Sequence, residues 1–304
     1  MDTAGYGDPG ALGAERERRS RATIDATDIA VLLHSGHPED DRWLQLLQKA
    51  QIPVVEVRSR AEANDQAGLL QRLQAARPDE KPRLLTGGLV GRDDVVVLVM
   101  PQDSEAPKGR LILPQVQVLR ELLDLGCIPV CCQPDGLKRA LDGLTGRPAL
   151  TITDSQAFAR VNAILPADAP LTSFSILLAG AKGDIRTFVE SAKAIDTLKP
   201  GDRVLIAEAC THVPDTEDIG RVKIPSLLRK KVGGDLEVTI AAGNDFPDDL
   251  TPYHLIIQCG GCVASERLLR SRIKKALLAG VPITNYGIAL AALTGILNRV
   301  TIPA

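Results

Sequence analysis

"VVVLVMPQDSEAPKGRLILPQVQVLRELLDLGCIPVCC", residues 95–132, decides the fold. A β-branched run opens it and a polar, Pro/Gly-containing loop follows. The segment LILPQVQVLRELLDLG then repeats its apolar residues at helical spacing, and CIPVCC returns to a β-type run. Strand, helix and strand in so short a span predict a βαβ unit and hence a parallel sheet.

The rhythm continues outward. CIPVCC is followed by the helical DGLKRALDGL (135–144), and ALTIT (149–153) by SQAFARVNAIL (155–165). After PADAPLT it restarts with the apolar FSILLAG (174–180) in a strand position, then DIRTFVESAKAIDTL, RVLIAEA, IPSLLRKKVGG, LEVTIAAG, HLIIQ, ERLLRSRIKKALLAG, PITN and IALAALTGIL. The fold class is therefore α/β, with Rossmann-like parallel sheets in two consecutive domains. Pro-containing polar stretches at ARPDEKPR (76–83) and LPADAP (165–170) set boundaries, giving pieces 1–80, 84–168 and 169–304. No short-period repeat stands out. The first piece shows two buried-type strands, DIAVLLHSG and IPVVEV, around the helical DRWLQLLQKAQ. By itself it is a poor domain, and it reads as a fragment or a naturally short form.

Bulk properties narrow the function. The 304 residues are 44% hydrophobic but only 3% aromatic, so the core is aliphatic. Lys+Arg number 36 against 38 Asp+Glu, which points to no nucleic acid or strongly charged partner. No apolar run has the length of a membrane span, and the N-terminus has no secretory h-region. The expectation is a soluble cytoplasmic protein, in which the six cysteines stay reduced rather than forming a disulfide framework.

LIIQCGGC (255–262) places Cys259 and Cys262 on a strand-to-helix turn. Gly260 and Gly261 leave its amides bare and permit close approach of a bulky ligand. The following helix N-terminus favours negative charge. RVLIAEACTH (203–212) ends another strand near Cys210, with His212 two residues on. If both strands lie in one parallel sheet, all three thiols reach its carboxyl edge, where open α/β sheets bind ligands. Three chemistries suit such a set: a thioredoxin-like pair of Cys259 and Cys262, a structural zinc ion, or an iron–sulfur cluster held by three thiolates. The cluster fits best, because a redox pair leaves Cys210 and His212 idle and the core needs no metal to fold. Cys127, Cys131 and Cys132 read as small core-filling residues, and His34 and His37 as an exposed loop. Glu208, His212 and His254 are the few acid/base groups near the thiols.

EACTH followed after a long spacer by QCGGC resembles the Cys-x-His … His-Cys-x-x-Cys pattern of HydF, the GTPase maturation factor of FeFe-hydrogenases. LVMPQDSEAPKGRLILPQVQVLRELLD (98–124) is similar to the middle, dimerisation domain of that family. The opening DTAG resembles a GTPase switch II, with Asp2 and Gly5 as remnants of the magnesium and γ-phosphate contacts. The likeness is weak over 1–80 and good over 84–304. It implies an N-terminally shortened member with GTPase, dimerisation and cluster-binding portions. It also implies a scaffold and carrier role, with a 4Fe–4S cluster on Cys210, Cys259 and Cys262. A diiron precursor from two radical-SAM maturases would be its cargo, apo-FeFe-hydrogenase its acceptor, and a homodimer its form. GTP and magnesium belong to full-length relatives; the chain contains no G-x-x-x-x-G-K-[ST] loop or Asn-Lys-x-Asp, so no GTP hydrolysis is expected of it. The family's second histidine is Gln258 here, which leaves His212 or Asp103 as a fourth ligand or neighbouring group. Alternatives to the carrier are a redox or radical-type iron–sulfur enzyme and a structural zinc-site protein.

Overall fold

A computed structural model of the chain describes residues 10–78, 83–102, 109–209, 218–243 and 245–303. The chain divides into two compact units, Met1–Pro82 and Arg83–Ala304.

The first unit runs α1 (Ala11–Ile24), β1 (Ala30–Leu33), α2 (Glu39–Lys49), β2 (Val54–Val57), α3 (Arg60–Asn64) and α4 (Gln66–Ala75). It thus holds more helix than the sequence reading assigned. β1 and β2 pair in parallel, Ala30 opposite Val54. Trp43 and Leu47 of α2 are buried with Leu32, Val55 and Val57. Val31 and Leu33 stay exposed on the other face. His34 is not a free loop residue: its Nε2 meets Glu56 Oε2 at 2.8 Å, because β1 and β2 end side by side.

The second unit contains two four-stranded parallel sheets. The first is built from β3 (Val95–Val99), α5 (Leu113–Asp124), β4 (Ile128–Cys132), α6 (Leu137–Asp142), β5 (Leu150–Thr153), α7 (Phe158–Ile164) and β6 (Leu171–Ser173). Its strand order is β4-β3-β5-β6. α8 (Phe174–Lys182) and α9 (Ile185–Ser191) lead to the second, made of β7 (Arg203–Ala207), α10 (Ile224–Val232), β8 (Glu237–Ala241), β9 (Leu255–Gln258), α11 (Glu266–Leu278), β10 (Ile283–Asn285) and α12 (Tyr286–Leu293). Its order is β10-β9-β7-β8. Read from their own first strands, both sheets have the order 2-1-3-4.

The sequences echo this. GRLILP (109–114) and GRVKIP (220–225) occupy the same place before α5 and α10. LTSFSILLAG (171–180) and ITNYGIALAA (283–292) carry β6–α8 and β10–α12. The two halves are variants of one unit, a long-period repeat that strand-by-strand reading does not reveal.

β3 is buried on both faces, as a central parallel strand must be. Val96 and Leu98 pack with Val118 and Leu122 of α5, while Val97 and Val99 join Leu137, Phe158 and Val161. That second group is continuous with Val204, Ile206 and Ile256 of the other sheet, so the two sheets share one core. FSILLAG is helical, contrary to its strand-like place in the sequence rhythm. Ser173 Oγ accepts from Ile176 N–H at 3.2 Å and caps α8. Apart from Ser175 and Lys182 the helix is apolar, because it lies between cores: Phe174 and Leu177 enter one, Ile176 and Ala179 the other. The strand at that point is the short β6, which pairs with β5 and carries the first sheet past residue 168. Along β6, Thr301 N–H donates to Leu171 O at 2.7 Å, so the C-terminal segment lies beside this edge strand. The opposite edge, β4, exposes Ile128 and Cys131. Cys131 is therefore not core filling as expected, whereas Cys127 is: it is buried, its Sγ donates to Gly91 O at 3.1 Å, and burial raises its pKa.

Candidate functional site

In an order of this kind the crossovers leave β7 in opposite directions, first to β8 and then across to β9. The crevice between the ends of β7 and β9 is thus a topological switch point, the usual ligand position in such sheets. The register sets Ala207 beside Gln258, so Cys259 is the first residue beyond the strand on one side of the crevice. Its N–H still donates to Ala207 O at 2.9 Å. Its Sγ accepts from Ala209 N–H at 3.0 Å. Ala209 is the residue before Cys210 in the sequence, and it is the last described residue of this segment. Cys210, His212 and Asp103 themselves lie outside the described residues, as do Asp2 and Gly5.

Cys262 follows the Gly–Gly turn; both Cys259 and Cys262 are partly exposed and outside any disulfide among the described residues. Gly261 adopts φ +60, and a Cβ there would stand 2.7 Å from Leu269 Cδ1. Both conformation and space therefore demand glycine at this position. The helix after the turn begins at Glu266. Ser265 Oγ caps α11, accepting from Leu268 N–H at 3.3 Å, and Val263 and Ala264 stay in the turn.

Around the crevice the polar groups are of two kinds. Some are committed. Glu208 accepts a fork from Arg221, Nε to Oε1 at 3.0 Å and Nη2 to Oε2 at 2.7 Å. Asp218 Oδ1 accepts from the N–H groups of Gly220 and Arg221 at 2.6 and 2.9 Å. Arg272, 2% exposed, reaches from α11 to Glu208 O (3.2 Å) and Gly243 O (2.6 Å), with its guanidinium 4.9 Å from the Phe246 ring centre. Others are not committed. Gln258 Oε1 and Tyr286 Oη are buried with no hydrogen-bond partner among the described residues. Burial first, then the neighbouring Cys259, Glu208 and Asp218, raises the Tyr286 pKa and keeps the phenol protonated. Behind the turn, Lys182 Nζ donates to the carbonyls of Gly261, Cys262 and Ala264. Burial lowers its pKa, while Cys262 and Cys259 act in the opposite sense.

His254 is far from this place. It precedes β9 at the amino edge, where its Nδ1 accepts from Arg203 N–H at 3.1 Å. The length of β9, about 13 Å at 3.3 Å per residue, separates it from Cys259. Two soft sulfur donors on a bare, partly open turn can take a soft metal centre, but the described residues alone contain no group of three His, Cys, Asp or Glu side chains able to hold an ion. Sequence reasoning missed Lys182, Tyr286, Arg221 and Arg272. None carries a local signal; each reaches the crevice from another element.

Residues 85–183 match the family model for the hydrogen maturase F dimerization domain, and residues 186–303 that for its tetramerization domain. Comparison with curated proteins gives no match.

Proposed function

The chain belongs to the hydrogen maturase F family and so has a role in hydrogenase maturation; from that premise we propose that it is a scaffold which holds an iron–sulfur cluster at the β7–β9 crevice and delivers a diiron precursor to apo-FeFe-hydrogenase. The observation that carries the reading is the placement of Cys259 and Cys262 at the switch point, with Cys259 Sγ accepting an amide proton from the residue before Cys210. Cys210, Cys259 and Cys262 would hold a 4Fe–4S cluster, with His212 or Asp103 as neighbour or fourth ligand.

The residues present suit such a group. Amide donors to sulfur stabilise a cluster's charge. Gly260 and Gly261 let the turn pack closely on Leu269 and Ser175 and carry no side chain that could cover the thiols. The buried, unpartnered Gln258 Oε1 and Tyr286 Oη offer polar atoms at the same edge. When bound, the cluster supplies an iron position to which a precursor can attach. The protein's own contribution is to hold thiolates, donate hydrogen bonds and keep one side open.

An iron–sulfur enzyme would need mobile acid/base groups beside the thiols. Glu208 is locked to Arg221 and His254 lies at the other edge of the sheet, which favours a carrier. The direct test mixes precursor-loaded protein with apo-hydrogenase and reads hydrogen evolution. No evolution, with loaded precursor verified by its infrared bands, sinks the carrier role.

The two matched domains support oligomerization. We assign the first contact to the open edge β4, since β6 has the C-terminal segment beside it. Ile128 there is 52% exposed, and an unpaired strand edge is a template for pairing. Ile128→Lys is expected to lower the sedimentation mass by half while far-UV dichroism stays unchanged; an unaltered mass would rule this edge out.

A further inference from the structure

α8 lies within the stretch that matches the dimerization domain, yet one stripe of it runs beneath the Cys259–Cys262 turn. A Cβ built on Gly260 would be 3.6 Å from Ser175 Oγ and 3.9 Å from Leu178 Cδ1. At the end of the same helix, Lys182 Nζ stands 2.9 Å from Gly261 O, 3.0 Å from Cys262 O and 3.0 Å from Ala264 O. Ser175, Leu178 and Lys182 are spaced i, i+3, i+7, which is one face of a helix. An ammonium has three N–H bonds, and here all three are spent on one turn.

Two of those carbonyls belong to the peptide planes on either side of Cys262. The Gly261 carbonyl lies in the plane entering Cys262 and the Cys262 carbonyl in the plane leaving it, and each plane is rigid. Pinning both fixes the Cα–Cβ direction of Cys262 and leaves its thiol little more than one torsion. We propose that Lys182 is a positioning residue which sets the thiolate geometry of the cluster turn from the neighbouring domain. The inference rests on the reading that Cys259 and Cys262 hold an iron–sulfur group. It adds that ligation depends on how α8 is seated, so that a shift in the dimerization half is felt at the metal. The same ammonium places a positive charge beside the thiolates, which favours the more negative, reduced state of a cluster.

The test reconstitutes the full chain anaerobically as wild type, Lys182→Met and Lys182→Gln. Three readouts are taken: iron loss to a chelator, the paramagnetic resonance line shape of the reduced cluster, and its midpoint potential. Lys182→Met is expected to lose iron about ten-fold faster, in line with other residues that orient metal ligands. Its line shape should change and its potential should fall. Lys182→Gln, with two amide donors, should lose iron at an intermediate rate. Wild-type values of all three readouts in Lys182→Met would overturn the proposal.

A second measurement covers failure of the variants to fold. In the wild-type protein an amine-reactive label should leave Lys182 unmodified while it marks the exposed Lys230; equal labelling of the two would also overturn the clamp. Failure of the wild type to take up iron and sulfide would instead strike the cluster reading, and the labelling result would still decide the clamp.

Discussion

Cys259→Ala is expected to abolish cluster assembly: after anaerobic reconstitution the wild type should carry about four irons and four sulfides per chain, and the variant neither. Cys259 is the first residue past β9, and its sulfur already holds a backbone proton from Ala209 at 3.0 Å. His254 cannot replace that sulfur, since it sits at the far edge. The variant should still fold, because Cys259 is partly exposed and outside the shared core. Iron, sulfide and zinc analysis checks the outcome, with melting of the apo protein as the control. One zinc per chain and no sulfide in the wild type would make the turn half of a structural site, and the carrier reading would fall.

Arg272→Met has the second large effect, on stability. Arg272 is 2% exposed, and it supplies donors to Glu208 O, just after β7, and Gly243 O, just after β8. Methionine matches much of its stem but offers no donor: Glu208 O keeps the N–H of Gly243 at 3.1 Å, while Gly243 O loses its guanidinium partner. An unsatisfied acceptor costs about 1–3 kcal/mol, so the loss should be about 2 kcal/mol. For a unit of this size that is a fall of roughly 4–8 °C in Tm. The same change loosens the segment leading to Cys210, which α11 holds through this side chain. Iron uptake should therefore drop as well, although Arg272 touches no metal ligand. A melting temperature within a degree of wild type would mean that Arg272 does not tie these segments together.

Much of the second unit was legible from local pattern. β3, β4, β5, β7, β8 and β9 lie where β-branched or apolar runs between Gly and Pro placed them. Such runs are a local property, since a strand buried on both faces must be apolar throughout. FSILLAG defeated the same logic: a helix buried on every side loses its polar stripe, and period no longer separates it from a strand. Only the capping Ser173 and the absence of β-branched residues beyond Ile176 mark it as helical. Cys131 misled for the opposite reason. Its strand is at an edge, and whether a strand is central or peripheral depends on pairing order rather than on its own residues.

The candidate site divides in the same way. Cys259, Cys262 and the glycines between them are adjacent in sequence, and the φ of Gly261 is a local demand. Sequence by itself therefore determined the thiol-bearing turn, the α/β class and the family to which the chain belongs. Tertiary structure alone decided that β7 and β9 are neighbours, so that the turn faces the segment leading to Cys210. It alone showed that Glu208 is tied to Arg221, and that Lys182 arrives from eighty residues away to hold the carbonyl of Cys262. The physical reason is range. Backbone conformation and ligand type follow from neighbouring residues, whereas strand order and the desolvated contacts that tether a loop exist only once distant segments share a core.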